Sequence, residues 1–279
     1  MQINLFHAVG LSLLIMLLTI SSATAQERND TTRQEAITPM VSSEETPSPA
    51  VVAAETYRAG DFRKSIELYE LVVAEALAEN RESAAVYYNL GNAYYRDNQL
   101  AKAILNYERA RLLDPGNSDI RHNLHFAQNK TEDRIEQAGI FFLQEWFKGV
   151  RDLNTSNRWA VISIIFFLLF LGCVAIFLFL QLLWVRKTAF YSAILFLLLM
   201  IGATLFAFSQ KRERMLRDDA IVMVGAATVN ASPDRNSNRL FELHEGTKVR
   251  IRNSDGDWYE VEIANGSVGW TEKENVEVI

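Results

Sequence analysis

The sequence predicts a multidomain membrane protein of three architectures: an all-α repeat solenoid, a two-helix transmembrane hairpin and a small all-β barrel. Three observations predict it. Two uncharged apolar runs lie almost back to back within residues 159–209, helical periodicity with interleaved small and aromatic residues precedes them, and short β-type runs divided by turn signals follow them. The chain has 279 residues, room for more than one domain, and a formal charge of −6. An acidic balance without a basic face argues against a nucleic-acid partner.

The hairpin is the strongest element. Residues 159–185 carry no charge, and at about 1.5 Å per residue such a helix crosses a hydrocarbon core of roughly 30 Å with some tilt. The pair Arg186-Lys187 interrupts the run, and a second uncharged run occupies 188–209. A soluble hairpin of this composition would need every face of both helices covered, and the flanking segments are too polar for that. Two crossings leave the preceding and following segments in one compartment, with the expected turn at Arg186-Lys187.

Orientation rests on the N-terminus. An apolar run followed by Ala23-Thr24-Ala25 reads as a secretory signal over residues 1–25, with an uncleaved anchor as the alternative. A cleaved signal places the next domain outside the cytoplasm. Lys211, Arg212, Arg214 and Arg217, just beyond the second span, pull the other way, because positive loops favour the cytoplasm. The signal acts first in synthesis, so we expect both soluble lobes outside.

Residues 26–49 are rich in Thr, Ser, Glu and Pro, the composition of a disordered linker. Within 84–117, Tyr87, Leu90, Gly91, Tyr94, Ala103, Tyr107, Ala110 and Pro115 then follow the tetratricopeptide pattern. Gly91 and Ala103 let two helices approach, the aromatics fill between them, and Pro115 ends the second helix. Upstream, Tyr57, Gly60-Asp61-Phe62, Ser65, Leu68 and Tyr69 align with the same pattern. Ser65 and Ala103 lie about 38 residues apart against a usual spacing of about 34, so extra residues must sit near 79–82. A helix beginning at Ser118 caps the stack, giving a repeat region over 50–130.

The groove-facing positions of such a repeat are Tyr88, Asn92, Tyr95 and Arg96, the expected partner-binding residues; a compact spacer is the competing reading. His122 and His125 share one helix face, but no nearby set of ligands completes a metal site. Residues 131–158 carry an apolar stripe through Ile135, Gly139, Phe142, Leu143, Trp146, Phe147 and Val150. It fits a juxtamembrane amphipathic helix in contact with lipid, or equally one packed under the solenoid.

Beyond the membrane, residues 219–279 alternate short strands with turns, and the order ATVNASPD, LHEGTKV, DGDWYEVEIANGSVGW resembles a bacterial SH3-type domain. The resemblance implies a turn at Gly246, a core anchored by Trp258 and a return strand at Gly269-Trp270. It also implies peptide or cell-wall (peptidoglycan) binding, with an exposed Tyr259 and the 232–238 loop as contacts.

No nucleophile triad, paired carboxylates, phosphate-cradling glycine loop or zinc spacing is evident, so the expectation is a non-enzymatic adaptor without cofactors. In order of domains the chain resembles the BatE-type proteins of the Bacteroidetes aerotolerance operon. That resemblance implies a bacterial inner-membrane protein with periplasmic lobes. Its partners would be von Willebrand A-domain membrane proteins and a MoxR-type ATPase, in an envelope stress complex.

Overall fold

The computed structural model describes residues 48–134 and 142–279. The expected signal sequence, nearly all of the expected linker, and Ile135 and Gly139 lie outside these residues.

Five helices form the first lobe: α1 Pro49–Arg58, α2 Phe62–Ala78, α3 Ala84–Arg96, α4 Leu100–Leu113 and α5 Ser118–Gln128. Local chemistry sets their limits. The Asp61 carboxylate accepts from the Lys64 amide at 3.1 Å to start α2, and the Asn117 side chain accepts from the Asp119 and Ile120 amides to start α5. Gly60, Asn80 and Asn98 take the left-handed conformation that turns the chain after α1, α2 and α3. The extra residues expected near 79–82 are found in the α2–α3 connection.

Gly91 and Ala103 do what their spacing predicts. A Cβ on Gly91 would lie 2.7 Å from the Tyr107 ring, so only glycine admits α4 at this distance. Ser65, the counterpart of Ala103, is fully buried and donates to the Ala53 carbonyl at 2.8 Å.

Helix α6, Phe142–Arg151, is shorter than the expected 131–158 element, and α7, Ser156–Phe179, begins where the Thr155 hydroxyl accepts from the Arg158 amide. Helix α8 runs Leu183–Leu216. Both α7 and α8 are long and apolar enough to cross a membrane. They pack through small residues, with Ala189, Ala193 and Ala203 buried and the Ser163 and Thr204 hydroxyls 2.7 Å apart.

The turn lies at residues 180–182, ahead of Arg186-Lys187, which sit in the first turn of α8. Charge marked the boundary wrongly because a basic side chain near a helix end can extend toward the interface without breaking the helix. Arg186 instead places its guanidinium 4.9 Å from the Phe177 ring centre.

A polar knot joins α6 to the hairpin. The Arg151 carbonyl accepts from the Trp159 indole at 2.7 Å and from the Gln210 amide at 2.8 Å, while the Arg151 guanidinium pairs with Glu213. Phe147 packs on Phe206 of α8, with ring centres 4.8 Å apart, and Trp146 is 57% exposed. Of the stripe, Phe147 thus meets the hairpin and Trp146 meets solvent.

The last lobe is one antiparallel sheet in the order β3-β2-β6-β5-β4-β1-β7. Its strands are β1 Asp219–Val222, β2 Ala226–Asn230, β3 Arg239–His244, β4 Lys248–Asp255, β5 Trp258–Glu262, β6 Val268–Glu272 and β7 Val276–Val278. Strands β3 and β7 have no counterpart among the β-type runs of the sequence, at 220–224, 227–229, 248–251, 258–263 and 267–270. The core is aliphatic, with Val222, Val229, Leu243, Val249 and Val261 buried.

The expected core tryptophan is not there. Strand alternation turns Tyr259, Val261 and Ile263 inward, and Trp258 falls on the other face with Glu260 and Glu262. Trp258 is half-buried and outside the core, whereas Tyr259, expected to be exposed, packs partly against it.

Candidate functional site

The four expected groove residues occupy α3, but they do not act as one set. The Asn123 amide of α5 donates to the Tyr88 hydroxyl at 3.0 Å and to the Asn92 side-chain oxygen at 2.9 Å. Asn92 also accepts from the Tyr107 hydroxyl at 2.7 Å. Tyr88 and Asn92 therefore stand half-buried in a network that holds the α3–α4–α5 geometry. Tyr95 lies one turn further along, its ring centre 5.8 Å from that of Phe126. The Lys130 ammonium sits 5.2 Å from Tyr95 and 5.3 Å from Phe126. Arg96 is exposed and stacks apart, its guanidinium 4.7 Å from the Phe62 ring centre.

Asn123, Phe126 and Lys130 are additions that sequence reasoning missed. They recur at three- and four-residue steps on one face of the capping helix and its exit, and that spacing was the available signal. Phe126, at 50% exposure, is a large apolar side chain left open beside polar partners. His122 and His125 are exposed, and among the described residues no group of three His, Cys, Asp or Glu side chains could hold a metal.

A second candidate surface is a groove of about 760 Å³ in the β lobe, between the 232–238 loop, the start of β5 and the short 3-10 turn Lys273–Asn275. Trp258 lines it together with Pro233, Asp234, Asp257 and Glu274. Arg235 closes one wall through a two-pronged pair with Glu272, at 2.5 and 3.0 Å. Lys273 is drawn aside, its ammonium 4.9 Å from the Tyr259 ring centre. Three carboxylates and an indole face are left to meet a ligand.

Residues 84–117 match the tetratricopeptide repeat family, and residues 225–277 match the bacterial SH3 domain family. No curated protein matches the chain. The first match coincides with α3 and α4 and the second with the β lobe from β2 onward. Both families thus fall on the two lobes that flank the apolar hairpin.

The SH3-like lobe is docked on the repeat. Ile221 and Ile279, at 0% and 2% exposure, belong to the same apolar cluster as Ile104, Leu105 and Tyr107 of α4. Gly246, expected only as a turn residue, has φ +83° and lies so close that a Cβ there would meet the Ile104 side chain at 2.8 Å.

Polar clasps ring this contact. Arg109 donates to the Val278 carbonyl at 2.8 Å and pairs with Glu277 at 2.9 Å. Arg217 pairs with Glu82 through two contacts, and the Tyr87 hydroxyl donates to the same carboxylate. Asp133 accepts from the His244 amide, the His244 ring and the Thr247 hydroxyl, each at 2.7 Å. Burial works to raise the Asp133 pKa, but the hydrogen bonds from His244 and Thr247 hold it below the ordinary carboxylate range. The same bond raises the His244 pKa.

Glu108, buried on α4, pairs with Arg111 at 2.8 Å and Lys248 at 3.2 Å. Burial would raise its pKa, yet Lys248 and then Arg111 outweigh that and bring it to about 2. The part of α4 that carries Ile104, Leu105 and Glu108 is thus covered within the chain itself, whereas Phe126 and Lys130 are exposed and Tyr95 partly so.

Proposed function

We propose that the protein is a membrane-anchored, non-enzymatic adaptor that binds a protein partner along the α3–α5 face of its repeat. The observation that carries this reading is the opposition of the two flanks. The α4 side is filled by the protein's own β lobe, while the α3–α5 side presents Tyr95, Phe126, Lys130 and Arg96 around the rigid Tyr88-Asn92-Asn123 network. Tetratricopeptide repeats leave one face of the solenoid for ligands, and an extended peptide is the occupant this face suits. In this reading the lobes sit together in the periplasm at the inner membrane, α6 rests in the lipid interface, and the partners belong to an envelope stress-tolerance complex of the BatE type.

A second reading is favoured by the Trp258 groove. Its aromatic floor and excess of carboxylates fit a positively charged peptide, including an amine-bearing stem of peptidoglycan.

Site-specific photo-crosslinking in native membranes tests the adaptor reading. A photoreactive residue at position 126 should capture a protein that one at position 74, on the exposed flank of α2, does not, and Tyr95→Ala should abolish the capture. Identical products from both positions would contradict the proposal. Retention of the detergent-solubilised chain on peptidoglycan, lost on Trp258→Ala, would move the weight to the second reading.

A further inference from the structure

Between the lobes, above α6 and the exit of α8, lies a cleft of about 1150 Å³ that neither matched family accounts for. Five carboxylates and five cations line it, which at first suggests neutrality. The pairing says otherwise. Asp133, Glu213 and Glu262 are each engaged by a side chain that does not line the cleft: His244, Arg151 and Arg252 respectively. Glu108 and Asp219 are bound by Arg111, Lys248 and Arg250. Among the described residues, the lining cations Lys148 and Arg134 have no carboxylate within pairing distance.

We infer that this cleft is an anion site, in which Lys148, Arg111 and Lys248 receive a phosphate-bearing group. Lys148 is an exposed residue of α6 that lines the cleft. Desolvation and then the neighbouring Arg111 guanidinium push its ammonium pKa below the ordinary range, outweighing the nearby Glu213 and Asp152 carboxylates. An anion placed there meets Lys148, which has no carboxylate partner among the described residues, beside Arg111 and Lys248, which share the Glu108 carboxylate, whereas a cation would meet carboxylates that are already paired.

Location narrows the source. Lys148 lies one turn before Arg151, which is tied to Trp159 at the start of α7, and Phe147 beside it packs on α8. The cleft mouth therefore opens at the end of the apolar hairpin, the level at which lipid phosphates lie. The same chemistry would also hold a soluble phosphate. The site does not depend on the adaptor reading, since Lys148, Arg111 and Lys248 all lie away from Tyr95, Phe126 and Lys130.

The test uses the full chain in a non-ionic detergent at neutral pH. Inorganic phosphate, dihexanoyl-phosphatidylglycerol and dihexanoyl-phosphatidylcholine are titrated by calorimetry against the wild type, Lys148→Gln, Lys148→Glu and the off-cleft double variant Lys211→Gln/Arg212→Gln. We expect saturable binding, weakened about threefold to tenfold by Lys148→Gln and more than tenfold by Lys148→Glu, as for loss and reversal of one charge-assisted contact. The double variant should bind as the wild type does. Without ligand, both Lys148 variants should melt within a degree or two of the wild type, which separates lost binding from lost folding. Phosphatidylglycerol binding tighter than phosphate identifies a lipid headgroup, and equal affinities identify a soluble phosphate. No saturable binding of either, equal weakening by the double variant, or phosphatidylcholine binding as tight as phosphatidylglycerol would overturn the inference.

Discussion

Glu108 of the repeat and Lys248 of the SH3-like lobe form an ion pair 3.2 Å long across the contact between the two lobes, with the Glu108 side chain only 3% exposed. Arg111 reaches the same carboxylate. Removing one member of such a pair leaves a buried charge uncompensated, at a cost of about 3–5 kcal/mol. Glu108→Gln should therefore destabilise the chain by about 3 kcal/mol in denaturant unfolding. Lys248→Met should cost less, because Arg111 remains with Glu108. The folded pKa of about 2 lies below the usual value of 4.5, so the contribution is present above about pH 4.5 and fades as pH falls toward 2.

The Asp133–His244 clasp has a pH window of its own. His244 is raised, so its contribution is complete below the unfolded value near 6.5 and is lost as pH rises through the folded value. Asp133 is lowered, so its contribution holds above about 4 and disappears in acid. Protection factors at residues 131–134 and 244–248, with intrinsic base-catalysed exchange divided out, should be highest near pH 5–6 and fall at pH 8.5. His244→Asn should erase the alkaline change.

Two glycines in helices should respond oppositely to alanine. At Gly91 the new methyl would press on Tyr107, at 2.7 Å, and cost about 1–3 kcal/mol. At Gly149 nothing lies within 4 Å, and the gain in helix propensity should stabilise by about 0.5–1 kcal/mol. Thermal midpoints of the two variants against wild type read both effects.

Trp258 and its neighbour should separate binding from folding. Trp258→Ala removes the floor of the groove outside the aliphatic core and should shift the midpoint little while abolishing any groove ligand. Tyr259→Ala removes packing against that core and the Lys273 contact, and should destabilise by about 1–3 kcal/mol with the groove intact.

Local patterns were legible wherever one spacing decided the outcome. Gly91 and Ala103 marked the close helix pair, and the uncharged runs marked α7 and α8. The turn at 180–182 was missed because Arg186-Lys187 looked like an interruption, although a basic pair is compatible with a helix end. Trp258 was expected in the core from the resemblance to SH3-type domains, yet the period of two in β5 already placed it opposite Val261. Strand β7 was too short to stand out, and β3 lacks clean alternation. The docking of Ile221 and Ile279 on Ile104 had no local signature at all: each reads as an ordinary core residue, and only the tertiary arrangement shows that the two lobes share one core. For the same reason nothing in the local sequence marks Glu108 and Lys248 as a buried pair.

Two crossings by α7 and α8 would leave both lobes on one side of a membrane, as their docking requires. In a Cys173→Ala background, single cysteines at the exposed positions Asn129 and Asn265 can be treated with a membrane-impermeant maleimide on intact cells and on inverted vesicles. Both positions should react in the same preparation and be protected in the other. Reaction of one from outside and of the other only from inside would contradict the shared compartment, and with it the docked architecture.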